Sequence, residues 1–249
     1  MFSGIVEIQG RVLDARMGHA APGSPAAQWA LSAGTDTNPS AVSLAPLGLL
    51  FIDVERPETF TDIKIGDSIC HNGVCLTVES FDQKKMTFAL GAETLKITHW
   101  TVEKLKGAML NLERSLGFGD RVHGHIVSGH VDDVGEVVLV KDLGGSVQVD
   151  IRAPRHLLQS VWKKGGWAVN GVSLTVNDVT SDIVSHCLIP ETLRRTNLGQ
   201  IRIGDTVNLE VDMMARAVAS SLTQFLKAGI ESGSLNELVR ELTGARTLK

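Results

Sequence analysis

Short hydrophobic segments, separated by turn residues, make up most of the first 212 residues of the chain. Many of these segments are rich in β-branched residues, and pairs such as Gly66-Asp67 and Gly144-Gly145 interrupt them. Many short strands with turn signals between them are typical of an all-β sandwich or barrel. The predicted strands cover residues 4–13, 49–54, 68–78, 85–90, 121–127, 130–140, 147–151, 167–176, 183–189 and 206–211. Short helices are predicted over residues 93–98, 154–162 and 191–196.

After residue 212 the hydrophobic positions take a helical spacing instead. The apolar residues that fall on one face of this predicted helix are Met214, Val218, Leu222, Phe225 and Leu226. Gly229 and Gly233 end the helix, and Ser234 with Glu237 forms a capping box for a second helix over residues 234–242. The apolar face could pack on the barrel of its own chain. Because this tail lies outside the repeat described next, we expect it to join subunits instead.

The chain contains nearly the same sequence twice. Residues 72–78 read NGVCLTV and residues 170–176 read NGVSLTV, 98 residues later. The ETLxxT pattern at 93–98 returns at 191–196, and NLE at 111–113 returns at 208–210. A period this long indicates duplicated domains, because solenoid repeats are roughly 20 to 50 residues long. We therefore predict an N-terminal domain at residues 1–112, a C-terminal domain at 113–212 and a tail at 213–249.

The first copy carries an insertion. The SGxVxxxGxV pattern at residues 3–12 returns 125 residues later, at 128–137, whereas the NGV motif returns after 98, so the first copy holds 27 extra residues. These fall within about residues 18–47, a stretch rich in Ala, Ser, Gly and Pro. Long segments of this kind are usually surface loops or active-site lids, and we expect a surface loop.

The repeated motif has one apolar face and one face of small polar groups. Closure into a barrel removes exposed strand edges, so each copy is predicted to form one small barrel.

Side chains alternate along a strand, so the apolar positions of the repeated motif and Asn72 share one face. Cys75 and Thr77 in the first copy, and Ser173 and Thr175 in the second, lie on the other face. A flat heterocycle could approach such a face and bond with the threonines. A polar side facing solvent is the simpler interpretation, but it need not be copied residue by residue.

Composition narrows the class of ligand. A net charge of −4 argues against a general nucleic-acid surface or an anionic membrane as partner. We expect no secretory signal, because the start lacks a basic region and a long apolar core. No apolar run approaches the ~20 residues of a membrane helix. The chain has three cysteines, an odd count without the spacing of a disulfide framework. This favours reduced thiols, and therefore a cytoplasmic location, for Cys70, Cys75 and Cys187.

Three histidines lie close together in the segment HGHIVSGH at residues 123–130. If the segment is a strand, His123 and His125 share a face, which could suggest a metal. No Cys pair or acidic ligand lies at a zinc spacing nearby, so we predict no metal site. His130 aligns with Ile5 of the first copy, so one site would gain a proton-transfer group that the other lacks. A hydrogen-bonded histidine at a turn is the simpler alternative.

Ser173, His130 and Asp212 could form a small polar cluster, since Asp212 ends the last predicted strand. A serine-hydrolase triad is not favoured, because no G-x-S-x-G sequence surrounds Ser173.

These motifs together resemble the α-chain type of riboflavin synthase. They are MFSGIVE at the start, the doubled NGV(C/S)LTV and ETLxxT, GHVD at 129–132 and VNLEVD at 207–212. The resemblance covers almost the whole chain except the insertion and the far C-terminus. It implies an all-β fold of two similar six-stranded antiparallel Greek-key barrels in tandem, followed by a C-terminal helix that joins subunits into a homotrimer.

The resemblance also implies a reaction. Each barrel would bind one 6,7-dimethyl-8-ribityllumazine, and one molecule would donate a four-carbon unit to the other, giving riboflavin and 5-amino-6-ribitylamino-uracil. No cofactor or metal would take part. The working site would lie between the N-terminal barrel of one subunit and the C-terminal barrel of its neighbour.

Matching positions then imply site residues. For the N-terminal segment and barrel the substrate-binding residues are Phe2, Gly4, Ile5, Val6, Val74, Cys75, Leu76, Thr77, Ala89, Leu90, Gly91, Ala92, Glu93 and Thr94. For the C-terminal barrel they are Gly129, His130, Val131, Lys164, Val172, Ser173, Leu174, Thr175, Ile189, Pro190, Glu191 and Thr192. The catalytic residues are His130, Ser173, Asp212, Ser68 and Cys75, with His130 near the reacting ring and Ser173 and Asp212 beside it.

The chain departs from the family pattern at three positions. Val74 stands where some members have a second Cys, Asn170 where some have Asp, and His123 where Gly is usual. Asn170 weakens any scheme that needs a carboxylate at that position.

Two other function classes compete with the enzyme. A non-catalytic antenna, similar to the lumazine proteins of luminous bacteria, would have one competent barrel. Both copies here keep the LTV and ETLxxT elements and a helical tail follows, which favours the enzyme. A flavin-dependent oxidoreductase would need a dinucleotide-binding domain, and no G-x-G-x-x-G fingerprint is present.

Overall fold

The N-terminal half of the protein is a closed barrel in the computed structural model, which describes residues 1–18, Pro25 and 49–232. Its strands and helices are β1 (Ile8–Gly18), β2 (Leu49–Glu55), β3 (Ser68–His71), β4 (Val74–Phe81), β5 (Lys85–Leu90), α1 (Ala92–Thr98), α2 (Val102–Leu105) and β6 (Met109–Arg114). The strands pair antiparallel in the Greek-key order β1-β2-β5-β4-β3-β6, and β6 returns to β1. Alternating residues such as Ile52, Val78 and Leu112 fill the interior, as the period-two pattern requires.

The C-terminal half repeats this order with one strand broken in two. Its elements are β7 (Asp133–Asp142), β8 (Val147–Arg152), α3 (Arg155–Leu158), β9 (Gly166–Val169), β10 (Val172–Thr175), β11 (Asp178–Thr180), β12 (Ile183–Leu188), α4 (Pro190–Arg195), a 3₁₀ helix (Asn197–Gln200) and β13 (Thr206–Val211). The sheet order is β10-β9-β13-β7-β8-β12-β11. Because β10 and β11 follow each other in the chain, the sheet curls back on itself, and β10 with β11 occupies the place of β4. The predicted tandem double barrel is confirmed.

Both repeated motifs contain a hairpin turn that the sequence analysis missed. We predicted single strands over residues 68–78 and 167–176, but each is two strands joined by a two-residue turn. Asn72 and Gly73 have φ of 46° and 86°, and Asn170 and Gly171 have φ of 46° and 75°. Asn-Gly is the strongest short hairpin signal, because a type I′ turn needs positive φ at both positions. Asn72 therefore lies in a turn and not on a strand face.

The segment around residues 121–127 was also predicted as a strand, and this was wrong. Only an isolated bridge is present there, between Phe2 and Val127. The N–H of Phe2 donates to the carbonyl of Val127 (2.8 Å), and the N–H of Val127 donates back to Phe2 (3.0 Å). We name residues 2–6 the first crossing segment and residues 127–131 the second crossing segment.

Equivalent residues of the two copies meet each other, so the two barrels are related by a pseudo-two-fold axis. Phe2 and Val127 are equivalent positions and pair directly. Gly73 and Gly171 also meet, since a Cβ on Gly171 would lie 2.6 Å from the Gly73 nitrogen. The side chains of Asn111 and Asn208 add reciprocal bonds across the axis, to the carbonyls of Asn170 (2.9 Å) and Asn72 (2.8 Å).

The crossing segments exchange places between the barrels. Val6, which precedes the first strand of the N-terminal barrel, is buried in the core of the C-terminal barrel. Val131, which precedes the first strand of the C-terminal barrel, packs against the core of the N-terminal barrel. Each barrel therefore takes one apolar residue from the segment that leads into the other.

The C-terminal helix α5 (Met213–Glu231) belongs to a compact unit separate from residues 1–212. Its residues Met214, Val218, Leu222, Phe225 and Leu226 are exposed apolar residues. The second predicted helix at 234–242 and nearly all of the insertion at 18–47 lie outside the described residues. Across the part of the chain that the structure describes, no helix is both long and apolar enough to span a membrane.

Candidate functional site

A cavity of about 240 Å³ on the N-terminal barrel is formed by three separate parts of the chain. Its lining residues are Val74 and Cys75 of β4, Glu93, Thr94, Ile97 and Thr98 of α1, and Gly129, His130 and Val131 of the second crossing segment. All except Ile97 and Thr98 were predicted as site residues. We call this surface the N-terminal wall.

The second crossing segment belongs to the N-terminal wall, although we predicted Gly129, His130 and Val131 on the C-terminal barrel. The N–H of Cys75 donates to the carbonyl of Gly129 (2.7 Å). Gly129 has φ +81°, and a Cβ there would lie 2.6 Å from the Cβ of Cys75. Only glycine permits this approach. The family resemblance implied the C-terminal barrel for these residues, whereas the second crossing segment lines the N-terminal wall.

The C-terminal wall is built in the same way from β10 and the first crossing segment. The N–H of Ser173 donates to the carbonyl of Gly4 (2.7 Å). Gly4 has φ +71°, and its Cβ would lie 2.6 Å from the Cβ of Ser173. Ile5, the equivalent of His130, is 41% exposed next to this contact. The exposed side chain that follows the glycine is therefore a histidine on one wall and an isoleucine on the other.

Within one chain, the histidine that contacts Ser173 is His125. A hydrogen bond of 2.7 Å joins Nδ1 of His125 and Oγ of Ser173. Burial lowers the pKa of His125, and the charge of Asp212 partly opposes this. His130 lines the cavity of the other wall together with Cys75. The expected grouping of Ser173 and Asp212 with His130 thus forms around His125 in the single chain.

His125 was not predicted as a site residue, because a strand over residues 121–127 would place it beside His123 on one face. The three histidines instead lie in three surroundings. His123 lines a different cavity of about 540 Å³, together with Ser3, Ile5 and Arg114. Within the described residues, no group of three or more His, Cys, Asp or Glu side chains is arranged to hold a metal ion.

Several predicted binding residues have side chains that belong to the barrel cores. These are Val6, Val74, Leu76, Leu90, Val172 and Leu174. Phe2 is also fully buried, in a cluster at the pseudo-two-fold axis with Cys70, Val127 and Ala168. We expect mainly the backbone groups of these residues to be available to a ligand. Ser68 lies opposite Thr77 in the β3–β4 pair, and the side chains of Thr77 and Thr175 face outward.

The ETLxxT pattern shapes the two helices that border the walls. The hydroxyl of Thr98 donates to the carbonyl of Thr94, and that of Thr196 to Thr192, both at 2.7 Å. Residues before these helices were also predicted to bind: Ala89, Leu90, Gly91 and Ala92 precede or begin α1, and Ile189 and Pro190 precede or begin α4.

Two charged residues of the C-terminal barrel have unequal surroundings. Hydrogen bonds from Arg194 and Arg195 lower the pKa of the exposed Glu191 carboxyl. Lys164 has φ +71°, where the first copy has Gly66. A non-glycine residue in this conformation costs about 1 to 3 kcal/mol and is often found at functional sites.

Two buried glutamates, absent from our predicted site, hold the crossing segments. Oε1 of Glu113 accepts from the N–H (2.6 Å) and the hydroxyl (2.8 Å) of Ser3, and Oε2 accepts from the N–H of Gly4 (3.0 Å). Glu210 repeats this pattern with Ser128 (2.6 and 2.7 Å) and Gly129 (3.0 Å). Burial raises the pKa of Glu113 to about 7 and also raises the pKa of Glu210. The repeated NLE sequence was the signal that could have indicated them.

Comparison with known proteins gives one family for both halves of the chain. The family model described as "Lumazine binding domain" matches residues 3–115 and again residues 128–212. These two matches cover both barrels.

Curated relatives match over most of the chain. A protein named riboflavin synthase from Photobacterium leiognathi is 41% identical over 156 residues, which are 63% of this chain and 71% of that protein. Riboflavin synthase of Bacillus subtilis is 38% identical and covers 66% of this chain and 76% of its own. Riboflavin synthase of Escherichia coli is 36% identical, with 70% and 83% covered.

Solved structures share the fold. LumP in complex with riboflavin matches with a TM-score of 0.67 and 20% identity, over 85% of this chain and 99% of that one. LumP with 6,7-dimethyl-8-(1'-D-ribityl) lumazine matches with a TM-score of 0.64. At this identity the match supports the architecture alone.

Proposed function

The chain belongs to the lumazine binding domain family, and on that premise we propose that it is a riboflavin synthase. The single observation that carries the function is the similarity to riboflavin synthases at 36% to 41% identity over most of the chain. The reaction is a transfer without a redox partner. Two molecules of 6,7-dimethyl-8-ribityllumazine react, one gives up a four-carbon unit, and riboflavin and 5-amino-6-ribitylamino-uracil are formed.

Two similar barrels suit a reaction between two identical molecules. Each wall presents the same small-residue strand to one lumazine ring, and holding two rings face to face replaces an encounter in water. Such positioning can supply about 7 to 11 kcal/mol of the barrier. Differences at equivalent positions, Ile5 against His130 and Cys75 against Ser173, then assign different roles to the two rings.

The site residues follow from the two walls. The 7-methyl group of the lumazine is acidic by its own electronics, so the protein orients it, stabilises the developing negative charge and moves protons. His130 on the N-terminal wall transfers the proton. Ser173, with His125 and Asp212, stabilises charge on the C-terminal wall. Thr77 and Thr175 donate hydrogen bonds to the rings.

The complete site lies between subunits of a homotrimer. His130 and Ser173 occupy different walls of one chain, so a pairing of the N-terminal wall of one subunit with the C-terminal wall of its neighbour would bring the two groups to the same site. The exposed apolar residues of α5 supply a surface for such assembly. A cytoplasmic location fits the unpaired state of Cys70, Cys75 and Cys187.

Incubation of the purified protein with 6,7-dimethyl-8-ribityllumazine alone tests the function. We expect riboflavin to accumulate without an added cofactor, with two lumazines consumed for each riboflavin formed. Chromatography measures both species. Tight binding of lumazine without riboflavin formation would contradict the synthase and favour an antenna protein.

A further inference from the structure

We infer that Glu113 and Glu210 are positioning residues, each of which holds a crossing segment against the ligand wall of the opposite barrel. Glu113 belongs to β6 of the N-terminal barrel, but the segment that it binds lines the C-terminal wall. Glu210 belongs to β13 of the C-terminal barrel, and its segment lines the N-terminal wall. The ligand side of this inference rests on the proposed function.

Each carboxylate fixes the path of two consecutive residues. The carboxylate of Glu113 accepts hydrogen bonds from the N–H groups of Ser3 and Gly4. These two bonds fix the orientation of the peptide between the two residues. The carbonyl of the same Gly4 then accepts from the N–H of Ser173. The connection from Glu113 to the C-terminal wall is therefore one residue long.

The second connection has the same length. Glu210 receives the N–H groups of Ser128 and Gly129, and the carbonyl of Gly129 accepts from the N–H of Cys75. Cys75 and Ser173 are equivalent positions of the repeated motif. The arrangement is thus built twice, once toward each wall.

Burying a carboxylate costs free energy of desolvation, so two buried glutamates at equivalent positions indicate a specific role. Glu113 and Glu210 are 5% and 2% exposed, and a buried carboxylate is expensive unless hydrogen bonds satisfy it. Three donors converge on each, so both oxygens act as acceptors at once. A glutamine has only one acceptor oxygen, so it cannot receive both backbone N–H groups in this geometry. At a pH above 7, where Glu113 is ionised, Glu→Gln should therefore release part of a segment while changing little volume.

This role predicts crossed effects. Release by Glu113→Gln should loosen the C-terminal wall, and release by Glu210→Gln should loosen the N-terminal wall. A glutamate that only stabilises its own barrel would give the opposite assignment.

Thiol alkylation measures the two walls separately. In a Cys187→Ser background, Cys75 reports on the N-terminal wall. Ser173→Cys combined with Cys75→Ser places the reporter thiol on the C-terminal wall. Cys70 is a minor background, because burial raises the pKa of its thiol well above the ordinary value. Peptide mass spectrometry follows iodoacetamide labelling at each site.

We expect Glu210→Gln to raise the labelling rate of Cys75 at least about tenfold, and Glu113→Gln to leave it within about twofold. For the thiol introduced by Ser173→Cys, Glu113→Gln should raise the labelling rate at least about tenfold and Glu210→Gln should leave it within about twofold. Glu136→Gln, which changes an exposed carboxylate on β7, is the control and should change neither rate. Equal changes on both walls, or a larger change on the glutamate's own wall, would overturn the inference.

Riboflavin separates this inference from the proposed function. Saturating riboflavin should protect the reporter thiol in each of the two labelling backgrounds, and each Glu→Gln change should abolish protection on the opposite wall only. Crossed labelling without any riboflavin protection would leave the positioning role intact and count against the proposed ligand. If a glutamine variant does not fold, Ser3→Ala and Ser128→Ala remove one donor each and should show the same crossed pattern more weakly.

Discussion

At the scale of single residues, the two copies differ at one exposed position of each ligand wall, which is His130 on one wall and Ile5 on the other. His130 and Ile5 follow equivalent glycines and lie on opposite walls. Both side chains are exposed next to a backbone contact that holds the neighbouring strand. One wall therefore carries a titratable group at the position where the other carries an alkyl group.

Replacement of His130 by alanine should lower kcat by about 10² to 10⁴, the usual loss when a positioned acid or base is removed. Ile5→Ala, at the equivalent position of the other copy, is the matched control and should affect KM more than kcat. Steady-state formation of riboflavin measures both. A turnover within about threefold of the parent protein would show that His130 does not transfer the proton.

Glu113 should make stability depend on pH. Burial raises the pKa of its carboxyl from the ordinary 4.5 to about 7, so the folded state holds an extra proton between these values. The extra proton stabilises the folded state fully below pH 4.5. As the pH rises through about 7 this stabilisation is lost, and the free energy of unfolding falls by up to roughly 3 kcal/mol. Urea unfolding across this range should show the decline. Glu113→Gln should flatten it, and parallel curves for the two proteins would contradict the assignment.

At the scale of elements, the Asn-Gly turns do two things at once. They close the β3–β4 and β9–β10 hairpins, and they place the walls by docking against each other at the pseudo-two-fold axis. Asn72 and Asn170 use their side-chain oxygens to accept from the N–H groups of Asn111 and Asn208 (2.7 and 2.8 Å). Asn170 is therefore a structural turn residue in this chain.

Gly171→Ala should destabilise the protein by more than the strain of its backbone alone. Its φ of +75° disfavours alanine by about 1 kcal/mol, and the added Cβ would meet the Gly73 nitrogen at 2.6 Å. Gly107→Ala is the matched control, since Gly107 has φ +80° with open space around its Cβ position. Thermal unfolding should show a clearly larger loss of Tm for Gly171→Ala. Equal losses would mean that the contact at the axis relaxes without cost.

At the scale of the whole molecule, the exchange of segments ties the two barrels together. Val6 precedes the first strand of the N-terminal barrel but packs in the core of the C-terminal barrel. Val131 precedes the first strand of the C-terminal barrel but packs against the core of the N-terminal barrel. A change in one barrel is therefore expected to reach the other.

The barrels should unfold as one cooperative unit. Hydrogen–deuterium exchange across a urea series should give coincident midpoints for β5 and β12, one strand from each barrel. Val6→Ala removes buried methyl groups from the C-terminal core and should shift both midpoints together. A shift confined to β12 would show that the barrels unfold independently.

Helix α5 should carry the assembly into trimers. Leu222→Glu combined with Phe225→Glu places charge on residues that are 55% and 66% exposed, so the chain should still fold but associate less. Gln224→Glu, which lies off the apolar face, is the control. Sedimentation velocity should report a trimer for the control and a smaller species for the double variant. A trimer in both would place the subunit contact elsewhere.

The sequence by itself determined the duplication and the barrel class. These follow from local patterns: alternation of apolar residues sets strand faces, and the doubled motifs mark equivalent strands. The residues of β4 and α1 in the N-terminal wall were implied by the family resemblance, and those of the second crossing segment were expected on the other wall. The local sequence also predicts the Asn-Gly hairpins, because a type I′ turn needs positive φ at two successive positions and Asn and Gly adopt it most easily. Their omission was an error of interpretation.

Only the tertiary structure decided which segment meets which wall. Ser3 and Glu113 are 110 positions apart, and His125 and Ser173 are 48 apart, so no local pattern relates them. Two similar barrels offer similar partners to each crossing segment, and sequence order favours contact within a segment's own barrel. The contact across the axis forms because Gly4 and Gly129 let the backbone approach the opposite strand, and buried carboxylates then hold it there.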